Sequence, residues 1–153
     1  MFEQILDLPA HPLLVHAAVV LIPLLALLAS AYGLIPRIRA ATGWAVAALA
    51  VAAPASAAAA YLSGTAFYDS LFARGVPPGE LGERVVTHAN LGSPTLFAAL
   101  GLGLSAGVLL YAVARGPRVL SLIFTVTTVL AGLVALFLTV RAGHTGATAV
   151  WGR

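Results

Sequence analysis

Cysteine is absent from the 153 residues, and its absence removes disulfides, thiolate metal ligands, iron–sulfur clusters and covalent haem attachment through Cys-x-x-Cys-His in one step. Charge is scarce too. Only 8% of residues are charged against 61% hydrophobic, a balance far outside that of a soluble domain. The eight basic residues are arginines scattered singly or in pairs, so the formal net charge of +3 forms no basic stripe and nucleic-acid binding is excluded. No nucleophile elbow, His-Glu-x-x-His helix, phosphate loop or close carboxylate pair occurs, which excludes the common hydrolytic sites. The middle of every long apolar run lacks an ionisable residue, which argues against an ion or proton carrier.

What the chain has is apolar length. A spanning helix needs ~20 largely apolar residues, and four runs qualify: Pro12 to Pro36, Gly43 to Thr65, Leu91 to Ala114 and Val119 to Val140. The links between the first two and the last two are too short for anything but antiparallel neighbours. These observations predict an all-α integral membrane four-helix bundle with antiparallel, up-down topology, folded as one domain over residues 1–153. The expected helices cover about 12–36, 43–65, 80–114 with an extramembrane start, and 118–142. Glu3 and Asp7 precede the first run in place of a basic leader, so that run is read as a retained helix. Gly75-Val76-Pro77-Pro78-Gly79 is a turn. No internal repeat stands out.

Arginine position sets the orientation. Arg37 and Arg39 lie in the first short link, Arg115 and Arg118 in the last, and neither link holds an acid. The positive-inside rule therefore places both in the cytoplasm and both termini on the non-cytoplasmic side. Every acid then faces outward (Glu3, Asp7, Asp69, Glu80 and Glu83), together with Arg74, Arg84, Arg141 and Arg153. Aromatics form matching belts, with Tyr32, Trp44 and Tyr111 near one end and Tyr61, Phe67, Tyr68, Phe72 and Trp151 near the other. Packing is expected to rely on small residues, Ala55 to Ala60 and Gly103/Gly107 among them. Pro23, Pro54 and Pro94 each remove a backbone donor within a span.

Four histidines then fall at one level. At 1.5 Å per residue, His16 lies ~30 Å above Pro36, His88 ~40 Å above Arg115 and His144 ~39 Å above Arg118, with His11 just beyond His16. Histidine is the commonest neutral metal ligand, and haem iron held by two imidazoles needs no thiolate. The stripe beneath His88 (Gly92, Thr95, Ala99, Gly103 and Ala106) is lined by small side chains, which leaves room for a flat macrocycle. Arg84 and Arg141 each lie about one turn from a histidine, where a guanidinium pairs with a haem propionate or snorkels to headgroups. His11 and His16 are five residues apart, about 140° around a helix, so they cannot grip one ion from a single face.

The opening His11-Pro12-Leu13-Leu14-Val15-His16 with Pro23, the entry histidine His88, and the closing Gly143-His144-Thr145-Gly146-Ala147 with Val150-Trp151-Gly152 resemble the bacterial membrane family called domain of unknown function 2231. The resemblance spans essentially the whole chain. It departs at Ala17-Ala18, where an aromatic and a proline are usual, and at Trp151, where tyrosine is common. It implies a multi-pass protein of the bacterial cytoplasmic (inner) membrane. Through that family's association with cytochromes and Rieske-type modules, it also implies respiratory electron transfer.

The expectation is thus a small b-type cytochrome-like protein acting as an electron-transfer or membrane subunit rather than a free-standing enzyme. His16 and His88 are the first-choice axial ligands of haem b, and His11 and His144 are supporting groups or ligands of a second centre. Two other readings stand beside it: a cofactor-free anchor or assembly subunit with interfacial histidines, and a periplasmic-facing copper or zinc site. Expected partners are the lipid bilayer and a redox protein at the outer face, and the small-residue faces admit a homo-oligomer.

Overall fold

A computed structural model describes residues 4–5, 8–73, 75–76 and 78–152, with side chains from Ala10 onward. Two short strands, β1 (Gln4–Ile5) and β2 (Leu8–Pro9), pair antiparallel, a feature the all-α expectation lacks. Four long helices follow: α1 (Ala10–Leu34), α2 (Arg39–Leu71), α3 (Glu80–Arg115) and α4 (Arg118–Trp151). All four are long and apolar enough to cross a membrane.

Two helices outrun their apolar segments. The expected ends at residues 65 and 142 correspond to helix ends at Leu71 and Trp151. Hydropathy marks where a helix leaves lipid, whereas the backbone continues in helix through Tyr68 and through Gly143 to Val150 until its hydrogen bonds find no further partner. With 36 residues, α3 is about 54 Å long, well beyond a ~30 Å hydrocarbon core. Gly75 and Gly79 take φ of +98° and +97°, a conformation only glycine adopts readily, so the expected turn between α2 and α3 is there. Pro77 of that motif lies outside the described residues.

The four helices pack in a ring in which α1 adjoins α2 and α4, and α3 adjoins α2 and α4. Alanines dominate the interior: Ala26, Ala29, Ala53, Ala99, Ala106 and Ala135 are all buried. Large apolar side chains such as Leu27, Val51, Phe97, Leu104 and Phe137 point outward instead. That inversion suits a lipid solvent, in which small residues let backbones approach and large ones gain nothing by hiding.

Proline and glycine cooperate at the closest approach. Pro54 has no N–H to offer the carbonyl of Ala50. A Cβ added at Gly103 of α3 would sit 2.6 Å from that oxygen and 2.6 Å from the Pro54 ring. At one end of the bundle, Arg39 caps α1, donating from Nε to the Tyr32 carbonyl at 3.0 Å and from Nη2 to that of Gly33 at 2.8 Å. Its guanidinium also lies 5.9 Å from the Tyr32 ring centre. Tyr32 is therefore buried against the protein rather than set in an interfacial belt, whereas Trp44, Tyr111 and Trp151 are exposed as a belt requires.

Candidate functional site

Two histidines from opposite hairpins meet where α1 begins and two turns into α3. His11, second residue of α1, turns inward against the end of α2, and its Nδ1 donates to the Ala60 carbonyl at 3.0 Å with Ser63 Oγ at 3.3 Å. His88 of α3 does the same against the end of α4, with the Ala142 carbonyl at 3.0 Å and Thr145 Oγ1 at 3.3 Å. A glycine completes each seat. A Cβ on Gly64 would lie 2.9 Å from His11 Cε1, and one on Gly146 would lie 2.9 Å from His88 Cε1. The two seats share one pattern, Ala60-x-x-Ser63-Gly64 and Ala142-x-x-Thr145-Gly146, in which the hydroxyl also donates to the same carbonyl, at 3.0 Å and 3.1 Å respectively.

This is an internal repeat that hydropathy conceals. Its elements are a histidine in the N-terminal part of the first helix of each hairpin (second residue of α1, ninth of α3) and a carbonyl, hydroxyl and glycine spaced three and one residues apart in the C-terminal part of the second. A search for equal spacing misses it because the loops between the parts differ in length. The recurring Ala-x-x-(Ser/Thr)-Gly string was the available signal.

The hydrogen bonds also fix the chemistry of each ring. A carbonyl only accepts, so Nδ1 carries a proton in each ring, which leaves Nε2 as the nitrogen able to ligate when the ring is neutral. No hydrogen bond among the described residues engages either Nε2. The ring centres are 6.2 Å apart with planes inclined at 60°, and Phe67 stacks beside His11, also at 6.2 Å between centres. The arrangement presents two imidazoles, each oriented by a backbone carbonyl, which is how metal-ligating histidines are commonly held.

The other expected residues go elsewhere. His16 is exposed, and its Nδ1 donates back to the carbonyl of Pro12 one turn away; the ring that meets His88 is that of His11. His144 is exposed on α4. The 140° argument holds, since His11 faces in and His16 faces out. Arg84 pairs with Glu80 and donates to the Thr148 carbonyl of α4 at 3.3 Å. Arg141 is exposed, its guanidinium 5.8 Å from the centre of the Phe137 ring.

Room beneath His88 is the clearest correction. Gly92, one turn below it, has Tyr61 where a Cβ would reach, at 3.2 Å, and Gly103 is filled by Ala50 and Pro54. Ala99 and Ala106 are fully buried. The small stripe serves helix contact. Two grooves, about 690 and 360 Å³, open sideways beside Gly103 and Gly101, and no histidine lines either.

Fold and site together define a helical transmembrane bundle with a paired-imidazole seat at one end. No family model, curated protein or solved structure matches the chain.

Proposed function

We propose that this chain is a multi-pass membrane protein with up-down topology, its termini on the non-cytoplasmic side of a bacterial cytoplasmic membrane, carrying a transition-metal centre on His11 and His88. The observation that supports this reading is the duplicated seat. Two imidazoles from separate hairpins have Nδ1 committed to carbonyls, no hydrogen bond to Nε2 among the described residues, and ring centres 6.2 Å apart. The arginine-bearing links Arg37/Arg39 and Arg115/Arg118 support the orientation.

Haem b suits the donors but not the space. A bis-imidazole iron has the same ring separation, yet Tyr61 against Gly92 fills the volume the macrocycle would enter, and Arg84 is already engaged by Glu80 and Thr148. The resemblance to domain of unknown function 2231 remains part of the proposal and favours a role beside respiratory electron carriers, with a redox protein docking at the same face.

A second reading has its own observation. The Nδ1 bonds alone clasp α1 to α2 and α3 to α4, a sufficient use for both rings in a cofactor-free membrane anchor. Elemental analysis and an absorption spectrum of the purified protein, oxidised and dithionite-reduced, separate the readings. The metal-centre reading expects a transition metal in about equimolar amount and no Soret band. Replacing His11 or His88 by Asn keeps a donor for the carbonyl while removing Nε2, and should abolish that metal. A metal-free preparation would leave the anchor. A Soret band lost in His16→Ala would restore the haem pair first expected.

A further inference from the structure

Resting on the metal-centre reading, we infer that the ion held between His11 and His88 is monovalent copper. The donor count comes first. Among the described residues there is no group of three or more His, Cys, Asp or Glu side chains placed to hold an ion, and Glu80 is paired with Arg84. Zinc takes four ligands in a tetrahedron, and divalent copper prefers a tetragonal set of nitrogen and oxygen donors. Copper(I), a closed-shell ion, is content with two nitrogens on opposite sides.

Distance agrees with that geometry. A metal–nitrogen bond of about 2.0 Å, plus about 1.1 Å from nitrogen to ring centre, puts two opposed imidazoles about 6.2 Å apart, against about 5 Å for a tetrahedral pair. The observed separation is 6.2 Å. Charge points the same way. Among the described residues no carboxylate joins the pair, Phe67 stacks beside one ring, and the cost of removing an ion from water rises with the square of its charge. A single positive charge on two neutral ligands is the least costly case.

Imidazole is an accepted copper ligand, and the sequence has no cysteine thiolate to compete with it. The bound ion bridges the α1–α2 and α3–α4 hairpins.

The test is anaerobic titration of the full chain in detergent with copper(I), using a chromophoric copper(I) chelator as competitor, and a parallel titration with zinc(II). One copper(I) per chain is expected, bound more tightly than zinc(II), with X-ray absorption showing two nitrogen neighbours. His11→Asn and His88→Asn should each weaken copper(I) by more than about a hundredfold, beyond the loss expected from an outer hydrogen bond. His16→Asn and His144→Asn should not. Because Asn retains the bond to the Ala60 or Ala142 carbonyl, unchanged thermal unfolding of the metal-free variants certifies their fold. Tighter zinc(II) through the same two histidines would overturn copper(I) while leaving the metal centre. Binding that ignores both Asn variants, or no binding of either ion, would overturn both.

Discussion

Each imidazole of the pair rests on a carbonyl, a hydroxyl and a glycine, and each part has a distinct physical task. The carbonyl fixes the tautomer, the hydroxyl shares the Nδ1 proton, and the glycine leaves space for the ring. Gly64→Ala and Gly146→Ala would put a methyl 2.9 Å from Cε1 of His11 and His88 respectively. The ring sits at the far end of a rotatable side chain, so the fold should lose only about 1 kcal/mol, while metal affinity falls about 10- to 100-fold. Thermal melts and metal titration of the two variants check this. Ser63→Ala should act more weakly than Gly64→Ala, because the Ala60 carbonyl still accepts from Nδ1. Depth along the helices was legible in the sequence, and it placed His11 and His88 at one level. Azimuth was not, because a rotation of one residue decides whether a ring faces protein or lipid. That is why His16 ranked ahead of His11.

At the scale of helices, the spans were readable from apolar length, while two of their ends were not. Runs of apolar residues report lipid contact, whereas the last turns of α2 and α4 are held by backbone bonds and by contacts to the neighbouring helix. The meeting of α2 and α3 rests on one proline and one glycine. Gly103→Ala would drive a methyl into the Ala50 carbonyl and the Pro54 ring, both 2.6 Å away and neither free to rotate aside. A loss of about 1–3 kcal/mol is expected, read as a lower melting temperature in detergent. Gly107→Ala provides the control, since no atom lies within 4 Å of its added Cβ. The cap on α1 gives another expectation. Arg39→Ala strips two charged hydrogen bonds from the Tyr32 and Gly33 carbonyls and should cost about 1–3 kcal/mol, while Arg39→Lys recovers only part, lacking the paired donors of the guanidinium.

For the whole molecule, the sequence disclosed a membrane bundle through composition alone, and its arginines predict an orientation that helix packing does not contain. The absence of cysteine makes the orientation simple to measure. Ser70→Cys, exposed near the end of α2, should react with a membrane-impermeant maleimide on intact cells; Ala40→Cys, exposed near its start, should react only after lysis. The reverse pattern would invert the bundle. A shared ion would also tie the two hairpins into one unit, so copper(I) at a hundred times its dissociation constant should stabilise the fold by about 2.7 kcal/mol. The central claim is that His11 and His88 serve one centre, and a double-mutant cycle on copper(I) affinity tests it most directly. If they share an ion, the His11→Asn/His88→Asn double variant binds no more weakly than either single variant, because the first substitution already destroys the site. Losses that simply add would contradict the account, since they would mean two imidazoles acting independently.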